Sequence, residues 1–164
     1  MSTNKEIERK WLIDSSKVPY DLSAVEPLCM EQSYISFSTT VRLRSVNDEK
    51  FILCVKSRPA PGSLTRDEFE ISLSREDYEH LLTKTEGNII RKKRYCIKND
   101  EGHTLEFDIF EGDLQGLAYM EREFSSEEEA ISYPNPEWAI KDVSSDKRYK
   151  NAVLAQKGMP EIGM

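Results

Sequence analysis

Four pairs of acidic residues stand two apart in this chain: Glu6/Glu8, Glu68/Glu70, Glu106/Asp108 and Glu121/Glu123. Basic residues lie between them in segments of strand-like composition: Lys10, Arg42/Arg44, Lys56 and Lys92/Arg94. A spacing of two puts both members of a pair on one face of a β-strand. Carboxylate clusters without accompanying His or Cys suit hard cations, Mg²⁺ or Mn²⁺, which take oxygen ligands. Arginine and lysine suit phosphate oxygens, arginine often through two hydrogen bonds at once. Both sets in one cavity point to metal-assisted chemistry on a chain of phosphates.

The elements that must position these residues follow from periodicity. Residues 5–13 alternate, with Ile7, Trp11 and Ile13 opposite Glu6, Glu8 and Lys10. Further strands are expected at 31–37, 41–46 and 50–56, the last two joined at Asn47-Asp48. After a Pro59–Gly62 loop, Arg66, Glu68 and Glu70 alternate with Phe69 and Ile71. Ser74 and Asp77 read as a helix start, with Tyr78, Leu81 and Leu82 on its apolar side. Strands follow at 89–98, 104–110 and 117–124, the first two joined by the Asp100-Glu101-Gly102 turn. Ser125 and Glu128 suggest a capping box for a short helix to Ile131, and Asp146 a cap for a last helix ending near Gly158. The outcome is about eight antiparallel strands and three short helices in a single domain, residues 1–158, with a tail at 159–164.

Each strand alone reads as half-buried, with a polar face in water. Together, the almost wholly ionisable polar faces, segregated by sign, have a consistent alternative. About eight strands can close into a barrel with the charges inside. Buried charges are costly unless paired or coordinated. A lumen holding water, divalent metal and a phosphorylated ligand meets that demand. Arg91 and Lys93 are then expected to face outward, and Arg66 to enter the tunnel or cap its rim. His103 falls in a turn, as a solvated loop residue. Lys141 is a candidate lid at a tunnel mouth.

Composition sets bounds on the class. The 164 residues carry a formal net charge of −7, against the basic excess usual in general nucleic-acid binders. The N-terminus is too charged for a signal core, and no apolar run approaches a membrane span of ~20 residues. Cys29, Cys54 and Cys96 are widely spaced and odd in number, as reduced thiols in a cytosol would be. A cytoplasmic protein without nucleic-acid or membrane partners, monomeric or homodimeric, is expected.

Glu6-Ile7-Glu8-Arg9-Lys10 resembles the E-x-E-x-K signature of the CYTH superfamily, the triphosphate tunnel metalloenzymes. The resemblance continues in order through Gln32-Ser33-Tyr34-Ile35, Val41-Arg42-Leu43-Arg44, Val55-Lys56, Arg66 to Glu70, Lys92 to Tyr95, Leu105 to Phe110, Gly116-Leu117 and Met120 to Phe124. The ending, Asp142 to Asn151 with Leu154, is similar to the short bacterial members. The resemblance implies an α+β, mainly antiparallel fold: an eight-stranded closed barrel, or tunnel, with a few short helices outside. It implies phosphate contacts from Lys10, Arg42, Arg44, Lys56, Lys92 and Arg94. It implies Mg²⁺ or Mn²⁺ held by Glu6, Glu8, Glu68, Glu70, Asp108, Glu121 and Glu123, and proton handling by Lys10 and Tyr34. The leading expectation is hydrolysis of inorganic tripolyphosphate to pyrophosphate and phosphate. Thiamine or nucleoside triphosphatase, class IV adenylyl cyclase and a non-catalytic polyphosphate-binding module are the alternatives. A nucleoside would need aromatic walls, for which Tyr34, Phe37 and Trp138 are candidates.

Overall fold

A computed structural model of the chain describes residues 2–160. Its strands are β1 (Ser2–Ile13), β2 (Leu28–Ser36), β3 (Thr40–Val46), β4 (Lys50–Lys56), β5 (Thr65–Leu73), β6 (Glu86–Lys98), β7 (Thr104–Phe110), β8 (Ala118–Glu123) and β9 (Ala139–Asp142). They pair antiparallel in the order β5-β4-β3-β2-β6-β7-β8-β1, and β1 returns to β5 to close an eight-stranded barrel. The length of β1 lets it serve two partners along one edge. Its N-terminal part, Ser2–Ile7, pairs with β5, and its end, Trp11–Ile13, pairs with the extra strand β9.

Apolar residues at the outward positions bind the barrel to its covering segments. Helix α1 (Arg75–Leu82), capped by Ser74, which accepts from the Asp77 N–H, packs Tyr78, Leu81 and Leu82 against Leu43 and Phe51. On the other side Trp11, Leu105, Phe107 and Met120 are buried under Tyr20, Leu22, Tyr133 and Trp138. Burial of rings the size of Trp11 and Phe107 stabilises the fold by roughly 3–5 kcal/mol each, judged by truncation to alanine. A third cluster lies at inward positions. Leu12, Tyr34, Ile90, Phe110 and Tyr119 pack against Tyr149 and against Leu154 and Ala155 of α3 (Asn151–Lys157), which seals that part of the interior.

Two turns carry the required backbone freedom. Asn47 and Asp48 both have φ of 53°, the left-handed pair of a tight two-residue hairpin between β3 and β4. Gly87 has φ of 76°, and a Cβ there would stand 2.7 Å from the Phe37 ring and 2.9 Å from the Ala155 carbonyl. Only glycine lets α3 seat this closely.

Several expected boundaries are corrected. Helix α2 (Glu127–Ser132) is capped by Ser126, which accepts from the Glu129 N–H, so the box sits one residue later than Ser125/Glu128. Asp146 caps a separate 3-10 turn, Lys147–Tyr149, and α3 starts after Lys150. Strand β9 forms in the segment that carries Lys141, where no strand was expected. Of the expected tail, 161–164 fall outside the described residues.

Candidate active site

Register and alternation bring the charged residues onto one inner surface. Glu8 lies opposite Glu123, and Lys10 opposite Glu121. Arg94 lies opposite Asp108, Lys56 opposite Glu68, Arg42 opposite Tyr34 and Cys54, and Arg44 opposite Gln32. Arg91 and Lys93 point outward to Glu31 and Glu111. One mouth opens into a cavity of about 610 Å³ whose lining includes Glu6, Glu8, Lys10, Tyr34, Arg42 and Lys56.

The wall formed by β6–β8 is internally paired. Asp108, fully buried, accepts from Lys92 Nζ at 2.6 Å and from Arg94 Nε and Nη2 at 2.8 and 2.9 Å. Arg94 also donates to Glu106 at 3.0 Å and lies 3.7 Å from Glu121. Against the cost of burial, Lys92 and Arg94 hold the Asp108 carboxyl below its ordinary range. Burial lowers Lys92, to about 7, while Asp108 pulls the other way. Glu121 stays ionised because Lys10, Arg94 and Lys92 outweigh its burial.

The surface formed by β1 and β3–β5, together with Glu123 at the end of β8, is different. Carboxylate oxygens of Glu6, Glu8 and Glu123 lie within 4.8 Å of one another. Burial, then Glu121 and Glu6, push the Glu8 carboxyl well above its ordinary value. Glu6 accepts from Lys56 at 2.9 Å, and against burial that ammonium draws it down to about 2. Burial and a hydrogen bond to Glu6 raise Glu68 to about 8. Arg42, 6% exposed, has no carboxylate at salt-bridge distance among the described residues, and its Nε has no acceptor. Among the described residues Arg44 donates only to Gln32, at 3.0 and 2.8 Å; burial and then Arg42 and Arg94 depress it to about 10.

The all-oxygen set of Glu6, Glu8 and Glu123 fits a hard divalent cation, which would relieve the repulsion that raises Glu8. Glu68 and Glu70 lie within 4.8 Å of the Cys54 thiol. Burial raises that thiol, and a protonated thiol is a poor ligand, so only the two carboxylates suit a metal.

Lys10 and Tyr34 occupy the boundary between the charged lumen and the sealed end. Lys10 Nζ donates to the Tyr149 carbonyl at 3.0 Å and lies 4.3 Å from the Tyr119 ring centre. Tyr34 stacks on Phe37, with ring centres 5.5 Å apart, and burial raises its hydroxyl, which therefore stays protonated. Arg66 caps the rim, donating to the Ser57 carbonyl at 2.9 Å and to Thr40 Oγ1 at 3.3 Å.

Two expectations fail on geometry. Lys141 is exposed in β9 and does not line the mouth; Lys147 and Lys150 do. Trp138 packs against Tyr20 and Phe107 on the barrel's outside, so it offers nothing to a ligand in the lumen. Arg58, Lys147 and Lys150 went unread because they lie outside the barrel strands, where no alternation marks a facing side. Glu106, expected inside with Asp108 but not among the metal ligands, accepts from Arg94 on the inner surface.

No family model matches the chain. Among curated proteins, the inorganic triphosphatase of Nitrosomonas europaea is 38% identical over 153 residues, 92% of this chain and 96% of the relative. The inorganic triphosphatase of Acetivibrio thermocellus is 33% identical over 154 residues, 93% and 94% of the two chains. A crystal structure of an inorganic triphosphatase superposes with a TM-score of 0.67 at 32% identity, covering 94% of this chain and 97% of that one. A Bacillus halodurans protein, at 19% identity and a TM-score of 0.63 over 80% and 86% of the two chains, shares the fold. A closed eight-stranded barrel with opposed charges inside, and relatives matching along nearly its whole length, place this chain in one family: it belongs to the CYTH, or triphosphate tunnel, family.

Proposed function

We propose that the chain is a divalent-metal-dependent inorganic triphosphatase, hydrolysing tripolyphosphate to pyrophosphate and phosphate within the barrel. The observation that carries this reading is the meeting, in one lumen, of the Glu6–Glu8–Glu123 oxygen cluster with the Arg42 guanidinium, which has no carboxylate at salt-bridge distance among the described residues. Glu6 is paired with Lys56, but a structural ion-pair network would not leave Glu8, Glu123 and Arg42 without a salt bridge among the described residues. When bound, Mg²⁺ or Mn²⁺ neutralises phosphate charge and polarises the phosphoryl centre.

The carboxylates of Glu6, Glu8 and Glu123 would hold the ion, with Glu68 and Glu70 as a second carboxylate set; Glu121 and Asp108 belong to the paired wall behind them. Arg42, Arg44 and Lys56 bind phosphate oxygens directly. Lys92 and Arg94 reach the same lumen from the opposite wall and would turn from Asp108 toward an incoming polyanion. Lys10 exchanges the Tyr149 carbonyl for a phosphate oxygen, and so supplies positive charge where the leaving group gains negative charge. Tyr34, neutral at pH 7, donates a hydrogen bond and cannot serve as a base. The sealed end formed by Leu12, Ile90, Phe110 and α3 limits water around the reacting phosphates, which strengthens every charge interaction inside. The protein acts in the cytoplasm on a small soluble substrate.

Tripolyphosphate, ATP and thiamine triphosphate, assayed side by side with Mg²⁺ and Mn²⁺, test the substrate. Preference for tripolyphosphate is expected. Preference for ATP or thiamine triphosphate, or cyclic AMP as a product, would replace the reading with one in which Phe37 and Leu64 at the mouth hold the organic group.

A further inference from the structure

Two arginines on the inner surface are held by the same edge, but by acceptors of different charge. Arg94 presents Nε and Nη2 to the Asp108 carboxylate at 2.8 and 2.9 Å. Arg44 presents Nε and Nη2 to a single oxygen, Gln32 Oε1, at 3.0 and 2.8 Å. Against burial, Asp108 raises Arg94 well above the usual guanidinium value and takes up its charge. Gln32 takes up none. Burial, then Arg42 and Arg94, lower Arg44 to about 10, which leaves it a cation at pH 7.

Gln32 lies on β2, with Arg44 opposite it on β3 and Ile90 opposite it on β6. Its side chain is fully buried, whereas Arg44 is only half-buried. The two Arg44 bonds fix the amide's orientation, since a flipped carboxamide would set N–H against N–H. Nε2 is then left buried with no acceptor among the described residues. An orphaned buried donor costs stability. A glutamate here would accept the same two bonds, cancel the Arg44 charge and carry no orphaned N–H. An apolar residue would leave no orphan either, but Arg44 would lose the acceptor that holds it. The carboxamide fixes the guanidinium's direction and keeps its charge for a guest anion.

We propose that Gln32 is a positioning residue for triphosphate binding: it orients the Arg44 guanidinium without neutralising it, and so sets affinity for the polyanion through Arg44. The proposal rests on the reading of Arg44 as a phosphate contact. An arginine held in this way has already met part of the ordering cost of binding. One held by a carboxylate, as Arg94 is by Asp108, must first give up an ion pair.

KM and kcat for tripolyphosphate at fixed free Mg²⁺ test this in Gln32→Glu, Gln32→Met, Arg44→Ala and the Gln32→Met/Arg44→Ala double variant, with a denaturant titration of each. Gln32→Glu should be at least as stable as the wild type, yet show a KM about tenfold higher, with kcat changed far less. A merely structural role would not move stability and affinity in opposite directions. Gln32→Met, which adds no charge, should raise KM about fivefold through lost orientation, and by less than about twofold when Arg44 is already alanine. A wild-type KM in Gln32→Glu overturns the proposal. So does a Gln32→Met effect of full size in the Arg44→Ala background, since Gln32 would then act without Arg44. Should Gln32→Met not fold, Gln32→Glu, which keeps the acceptor, decides alone. Calorimetry with tripolyphosphate separates the two readings. No binding by the wild type defeats the lumen reading and Gln32 with it, whereas wild-type binding that neither Gln32 variant weakens overturns the role of Gln32 alone.

Discussion

The two walls of the lumen carry the same kinds of side chain and do opposite things with them. On β6–β8, Asp108 and Glu106 meet Lys92 and Arg94 at 2.6–3.0 Å. On β1 and β3–β5, with Glu123 from the end of β8, carboxylates crowd carboxylates, and Arg42 stands beside Tyr34 and Cys54 with no carboxylate at salt-bridge distance among the described residues. Coulomb energy in a low-dielectric interior makes the first arrangement self-sufficient and the second unstable without a guest. The paired wall keeps the barrel's shape, and the unpaired wall is shaped for metal and phosphate. A charged interior is thus not uniformly functional, and the test is which charges already have partners.

Substitutions on the two walls should separate stability from activity. Asp108→Ala leaves Lys92 and Arg94 buried without their shared acceptor, and should cost about 3–5 kcal/mol in a denaturant titration. An equal loss from Glu8→Gln would erase the distinction between the walls. Instead Glu8→Gln, which removes a repelled carboxylate, should leave the metal-free protein at least as stable while lowering turnover on the order of 10²-fold. Wild-type turnover in that variant would remove Glu8 from the metal set. Arg42→Ala should raise the KM for tripolyphosphate about tenfold, the effect of one lost charged contact, and unchanged kinetics would contradict its role.

The smallest effect is on pH dependence. Glu68, raised to about 8, and Glu8, raised well above its ordinary value, keep protons in the folded state that the unfolded chain releases near 4.5. Stability of the metal-free protein should therefore fall between pH 5 and 7, since the folded state there binds more protons than the unfolded one. The lowered carboxyls, Glu6 and Asp108, act in the other direction only below about 4.5, where their contribution is lost as pH falls. Above about 7 the depressed Lys92 begins to favour the fold as pH rises. Saturating Mg²⁺ should flatten the decline between pH 5 and 7 in a thermal-melt series; an unchanged slope would place the ion elsewhere.

Much of this was legible in the chain because a strand writes its orientation into the sequence with a period of two. Val41–Val46 and Leu105–Phe110 state which side faces in, and Asn47-Asp48 states where the hairpin turns. The resemblance that begins at the E-x-E-x-K pattern added the closure of the strands into a barrel. Pairing among the inward charges was not legible, since it depends on which strands become neighbours. Glu8 and Glu123 meet only because β1 lies beside β8. Helix caps were ambiguous where Ser125 and Ser126 offer the same chemistry. Strand β9 is four residues long and follows Pro134 and Pro136, too short for alternation to register. Lys147 and Lys150 carry no periodic signal at all, and only folding brings them to the mouth.

The carboxylate cluster of Glu6, Glu8 and Glu123 beside Arg42 is shaped for metal and a triphosphate. Phosphate release from tripolyphosphate by chelator-stripped protein, titrated with Mg²⁺ or Mn²⁺, tests it most directly. No release is expected without metal, and saturable release with it. Release that chelator leaves untouched, or none at any concentration of either metal, would contradict it.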